Sequence, residues 1–192
     1  MRIPADAMPL SAHPVSRTRK HSRSVRFEGY ARSDGLWDIE AHLTDIKPDD
    51  YALAPGVRPA GSPVHDLWVR LTIDRGMNVI GAEACAEAVP YASYCDAIVP
   101  DYAALVGLNL MHGFRQALYE RFGALRGCTH FTELISQFPS AAIQVFAGEQ
   151  RDNHDDGSKP FHLDRCHALD TAGEAVRLYY PRWRRVGKTG TD

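Results

Sequence analysis

Three stretches of the chain alternate apolar and polar residues with a period of two, the pattern of half-buried β-strands. Val25, Phe27, Gly29 and Ala31 alternate with Arg26, Glu28, Tyr30 and Arg32. Trp37, Ile39, Ala41 and Leu43 alternate with Asp38, Glu40, His42 and Thr44, and His65, Leu67, Val69, Leu71 and Ile73 with Asp66, Trp68, Arg70, Thr72 and Asp74. Ser33-Asp34-Gly35 has the composition of a hairpin turn. Asp74-Arg75-Gly76 then turns the chain into a fourth strand near Asn78 to Ala86. Tight turns between consecutive strands predict an antiparallel meander of about four strands, broken only by a loop carrying Pro48, Pro55, Pro59, Gly61 and Pro63.

Beyond the fourth strand the period changes. From Asp101 to Phe122, apolar residues recur at Leu105, Leu108, Met111, Phe114, Leu118 and Phe122, the spacing of a helix packed on a sheet. Gly123 and Gly127 interrupt it, and Cys128 or Thr129 opens a second helix that runs to Phe138 before Pro139. Strands first and helices second define an α+β fold, with the helices on one face of the sheet. Near the end, Phe161 to Ala168 and Ala175 to Tyr179 flank Asp170-Thr171-Ala172-Gly173, which reads as a C-terminal β-hairpin. Residues 1–23, rich in Pro, Ser, Arg and His, read as a flexible arm that orders only where His21 and Arg23 meet the domain. Residues 24–182 form a single domain, and residues 183–192 a basic tail.

A hydrophobic share of 44% and a charged share of 24% suit a globular domain. A net charge of −2 gives no field that would steer nucleic acid or an anionic membrane to the chain. No apolar run approaches the roughly 20 residues of a membrane span, and no apolar core follows the N-terminal arginines as in a secretory signal. The expected location is therefore cytoplasmic. There Cys85, Cys95, Cys128 and Cys166 are thiols, ligands or core filler rather than disulfides.

The residues that bear chemistry concentrate at Gly127-Cys128-Thr129-His130-Phe131-Thr132-Glu133. A thiol at a helix start is favoured as thiolate, and His130 and Glu133, three apart, share a helix face on which a carboxylate can orient an imidazole or both can bind a metal. Cys128, His130 and Glu133 are the candidate metal ligands, with zinc or iron as the divalent ion they would suit. The plain alternative is a glycine-started helix with a buried cysteine and a capping threonine. Cys166 shares a strand face with Asp164 and His162, and Cys95, Cys128 and Cys166 could converge on a soft metal or an iron–sulfur cluster. Arg32, Asp38, Glu40, His42, Arg70 and Asp74 form a polar set on the sheet. They are either a solvated ladder or, if helices cover that face, a buried Glu40–Arg70 pair beside a substrate anion. His65 is either an edge residue of its strand or a general base, and His154, Asp155 and Asp156 read as solvated loop.

These motifs resemble those of a bacterial family catalogued as domain of unknown function 2889. The resemblance runs from about His21 to Arg182 and rests on Asp34-Gly35-Leu36-Trp37-Asp38-Ile39-Glu40, Asp45 with Lys47, His65-Asp66-Leu67-Trp68 with Arg70 and Asp74, and Pro90-Tyr91 with Cys95. Leu105-Val106-Gly107, Gly127-Cys128-Thr129-His130 with Glu133-Leu134, and Asp164-Arg165-Cys166-His167-Ala168-Leu169 complete it. Phe131 stands where that family more usually has leucine, a difference of packing. The resemblance implies no activity, but it rests on polar and thiol side chains more than on core aliphatics, which favours Cys128 and His130 as the working site.

The expected function is that of a small enzyme, a lyase or hydrolase acting on an aromatic or acyl substrate in bacterial catabolism of aromatic compounds. His130, Cys128, His65 and Glu40 are its catalytic candidates. Arg70 would hold an anionic group, and Trp37, Trp68, Tyr91 and Phe131 would line an apolar pocket. The competing expectations are a metal or iron–sulfur carrier using Cys95, Cys128 and Cys166, and an interaction module without chemistry. The partner expected is a small-molecule substrate, neither nucleic acid nor membrane, with a homo-oligomer left open.

Overall fold

The computed structural model describes residues 10–11, 13–147, 158–160 and 162–185. The alternating stretches form strands β1 (Ser22–Ala31), β2 (Trp37–Ile46), β5 (Pro63–Ile73) and β6 (Val79–Ala88) of one antiparallel sheet, in the order β1-β2-β5-β6. The proline-rich connection between β2 and β5 contains a small separate hairpin, β3 (Tyr51–Leu53) and β4 (Gly56–Arg58). Helices α1 (Phe114–Phe122), α2 (Thr129–Ile135) and α3 (Phe138–Ala147) follow. The class is α+β, as the order of periodicities predicts.

The two faces of the sheet differ completely. Ile39, Ala41, Leu43, Leu67, Leu71 and Ile73 are buried in one core with Phe131, Phe138 and Phe146 from the helices. None of their alternate neighbours Asp38, Glu40, His42, Thr44, Asp66, Trp68, Arg70 and Thr72 is buried. Strand alternation therefore assigns each residue to the covered or the open face by its parity.

Where helix periodicity was read across glycines, the structure departs from expectation. Asp101–Phe122 is not one helix: a 3-10 segment spans Val99–Leu105, and α1 starts only at Phe114. Gly107 and Gly113 hold φ of 88° and 66°, left-handed values that stop a right-handed helix. The residues between them run along the sheet instead, with Val79 N–H donating to Leu108 O at 2.8 Å and Leu110 N–H to Met77 O at 2.9 Å. Helix α2 ends at Ile135, short of the expected Phe138, and Pro139 belongs to the start of the next helix. It lies in the first turn of α3, where a missing N–H costs no hydrogen bond.

The C-terminal β-hairpin is not formed, and the two-stranded hairpin of this fold is β3–β4. His167–Leu169 is a 3-10 turn and Glu174–Tyr179 is helix α4. Val176 and Tyr180, four apart, are buried together with Leu163, which is the helical repeat. Five residues are too few for periodicity to separate helix from strand. Asp164 organises the preceding turn, accepting from Thr171 N–H at 2.8 Å and from Lys159 Nζ at 2.6 Å. Phe161, residues 1–9, His154, Asp155 and Asp156, and residues 186–192 lie outside the described residues. Among the described residues no helix is long and apolar enough to cross a membrane.

Helix α3 packs so closely on β1 that Gly29 has no room for a side chain. A Cβ there would lie 2.2 Å from Val145 Cγ2. Gly29→Ala is expected to destabilise the protein by about 1–3 kcal/mol, the usual cost of overpacking. Adding Val145→Ala is expected to restore most of the loss, a coupling that urea denaturation of the single and double variants would measure.

Candidate functional site

The covered face ends in polar residues where β1, β2 and β5 approach α2. The residue after Leu43 with the same parity on β2 is Asp45, which pairs in register with Arg23 on β1 and with His65 on β5. A charged side chain thus continues a row of aliphatic ones, and Asp45 is 3% exposed. Burial of a carboxylate is tolerable only if its oxygens are satisfied. Asp45 Oδ1 accepts from His21 Nε2 and Arg23 Nε, both at 2.8 Å, and Oδ2 from Arg23 Nη2 at 2.8 Å and His65 Nδ1 at 3.0 Å. Burial, the largest single influence, would raise the Asp45 pKa, but the two-pronged Arg23 guanidinium, His21 and His65 together outweigh it and hold the pKa at about 2.

Arg23 also reaches across to α2, with Nη1 at 3.3 Å from Glu133 Oε2. That helix starts beyond Gly127, where a Cβ would lie 2.5 Å from Phe122 O, so only glycine lets the chain pass. Cys128 is fixed next: its N–H donates to Tyr102 Oη at 3.0 Å and its carbonyl accepts from Thr132 N–H at 2.9 Å. His130 Nδ1 is 3.9 Å from Cys128 Sγ, and the His130 ring lies against the His65 ring with centroids 3.8 Å apart and a tilt of 33°.

The charges in this cluster are arranged unevenly. Burial pushes the Cys128 thiol up, but the His130 imidazole and the backbone N–H groups of Phe131 and His130 more than compensate, leaving it below the ordinary thiol range. His130 is raised, chiefly by the thiolate beside it. His65 is lowered by burial and then by the positive charge of His130, against the opposing pull of Asp45. Because Asp45 is ionised and can only accept, the proton of neutral His65 belongs on Nδ1, which leaves Nε2 as a bare acceptor.

Cys128, His130 and His65 are therefore brought together, and Glu133 joins them only through Arg23. Among the described residues the group able to hold a metal ion is Asp45, His65 and His130, whose ligand atoms lie within 4.8 Å of one another. It differs from the expected trio of Cys128, His130 and Glu133. Sequence reasoning missed Asp45 as the anchor, although a carboxylate at core parity was visible in the series Trp37, Ile39, Ala41, Leu43, Asp45.

Other candidates lie elsewhere. Glu40 and Arg70 occupy the open face, where Arg70 bonds Glu40 at 3.4 Å and also pairs with Glu83. Among the described residues, helices do not cover that face, so of the two alternatives the set fits the solvated ladder. Trp68 is on the same open face, its ring stacked on His42 at 3.7 Å. Trp37 and Phe131 are core residues, packed on Phe146 and Tyr102 respectively. All four cysteines are free thiols. Cys95 and Cys128 line one cleft, while Cys166 lines another with Asp164, Arg165, His167, Asp170 and Arg185.

The sequence profile of a family described as protein of unknown function (DUF2889) matches residues 21–144. The chain belongs to this family. No curated protein and no solved structure matches it. The DUF2889 match begins at His21, the first residue to bond Asp45, and takes in Arg23, Asp45, His65, Cys128, His130 and Glu133. It stops within α3, before the segment that contains Cys166.

The Asp45 pKa sets an expectation for stability. A carboxyl group depressed in the fold from 3.8 to about 2 stabilises the protein above its unfolded value and loses that contribution as pH falls through the folded value. Asp45→Asn should cost on the order of 2 kcal/mol at pH 7. The difference from wild type should shrink as pH is lowered from about 4 to about 2, as measured by urea denaturation across that range.

Proposed function

We propose that the protein is a small hydrolase of acyl substrates in which Cys128 is the nucleophile. The observation that carries this reading is the series of contacts Cys128–His130–His65–Asp45–Arg23, with a thiol of lowered pKa beside an imidazole of raised pKa at one end and a second imidazole bonded to a buried carboxylate at the other. The Cys128 thiolate adds to the acyl carbon, and the leaving group departs with the proton of the His130 imidazolium, giving an acyl-thioester on Cys128. His65 Nε2 takes a proton from water as its oxygen attacks that thioester. The Cys128 thiolate leaves, the acid is released, and the proton on His65 returns to His130, directly or through solvent. The sum is substrate plus water giving acid plus leaving group.

A second reading is favoured by the convergence of Asp45, His65 and His130, a set that would suit zinc or iron. In that reading the protein is a metal-dependent enzyme or a metal carrier. Against it stands the Arg23 guanidinium, which occupies both Asp45 oxygens and would sit beside the cation. Elemental analysis of protein purified without an affinity tag separates the two readings, since one bound zinc or iron per chain supports the second.

For the hydrolase, incubation with an activated aryl or alkyl thioester is expected to give an acyl adduct on the Cys128 peptide by mass spectrometry. Cys128→Ala should abolish the adduct and lower turnover by about 10²–10⁴-fold. His65→Asn should let the adduct accumulate, because deacylation loses its base. Turnover that persists in Cys128→Ala without any adduct contradicts the assignment.

A further inference from the structure

Cys128 belongs to two environments. On one side is the histidine cluster; on the other it lines an open cleft of about 460 Å³ together with Tyr94, Cys95, Ala97, Ile98, Leu125 and Gly127. That lining contains no charged side chain. Beyond the reacting Cys128, its polar atoms are backbone groups, the Cys95 thiol and the Tyr94 phenol, so no side-chain partner for a charged acyl group is among them. Its volume falls in the usual range of small-molecule sites, roughly 300–1,000 Å³.

Two of the lining residues are costly to the free protein. Leu125 is fully exposed and Tyr94 is 83% exposed, the two most exposed large apolar side chains among the described residues. Each follows a residue with a backbone that side-chain-bearing residues rarely adopt: Ser93 at φ 68° and Ala124 at φ 53°. Such conformations cost on the order of 1 kcal/mol or more each and are characteristic of ligand sites. Four non-glycine residues in the described chain have positive φ, and two of them immediately precede the apolar pair of this cleft.

We infer that the Tyr94–Leu125 cleft is the acyl-group pocket, and that the substrates are esters or thioesters of uncharged aryl or short alkyl acids. This rests on the assignment of Cys128 as nucleophile. The acyl chain lies between the Tyr94 ring and the Leu125 side chain, with its carbonyl carbon at Cys128. Occupation removes both exposed apolar groups from water, which supplies binding energy beside the reacting atom.

Maleimides with graded substituents test the pocket apart from catalysis. N-methyl-, N-hexyl- and N-phenylmaleimide would be reacted with the full-length protein, and modification of Cys128 measured by peptide mass mapping relative to the exposed Cys166. The Cys128/Cys166 rate ratio is expected to be about tenfold higher for the hexyl and phenyl reagents than for the methyl one, as burial of a few carbon groups predicts. In Leu125→Asp that preference should fall to near one. A ratio independent of substituent in the wild type overturns the pocket while leaving the nucleophile in place. Cys128 unmodified by all three reagents overturns the nucleophile, and the pocket with it.

Discussion

The structure around the candidate site depends on one buried carboxylate. Asp45 lies at the end of an otherwise aliphatic row, and the cost of burying it is met by His21, Arg23 and His65 from the two neighbouring strands and the chain just before β1. Two of those contacts have a second effect. Arg23 keeps the carboxylate ionised and carries the interaction on to Glu133 in α2. His65 is held in one tautomer and one orientation, with its ring face presented to His130. A neutral residue at position 45 would remove the reason for all of these arrangements at once.

The division of the sheet into two faces explains why some polar residues join the site and others do not. Asp45, His65 and Arg23 have the parity of the core, so their side chains meet the helices; Glu40, His42, Trp68 and Arg70 have the opposite parity and meet solvent. A one-residue slip of register would exchange the two sets. Cys128 is positioned from the helical side, by the Tyr102 hydroxyl and by a passage at Gly127 that admits no side chain. Strand parity and helix entry together place a thiol, two imidazoles and a carboxylate within reach of one another.

Much of this was legible in the amino-acid sequence. Period-two alternation is strong over ten-residue strands, so the meander could be read directly, and Cys128 and His130 stood out as a candidate pair by their place at a helix start. The sheet partner His65 was legible as one of two alternatives. Helix boundaries were less so, because the apolar spacing of Leu105, Leu108 and Phe114 matches a helix even though Gly107 and Gly113 adopt left-handed backbones between them. The segment after Asp170 defeated the reading for want of length. The two alternatives for Glu40 and Arg70 stayed open because a charge pair across two strands looks the same from either face, and only the helices decide which face is covered. Asp45 was legible in principle, since no solvated strand needs a carboxylate in the series that contains Ile39 and Leu43.

Histidine ¹⁵N NMR on the full-length protein tests the central claim most directly, because it reads the protonation of each ring nitrogen. The neutral form of His65 is expected to carry its proton on Nδ1, and His130 to titrate above the ordinary imidazole range for as long as Cys128 is present. In Cys128→Ala, His130 should revert toward an ordinary imidazole while His65 keeps its tautomer. A His65 ring protonated on Nε2, or a His130 ring indifferent to the loss of Cys128, would contradict the account.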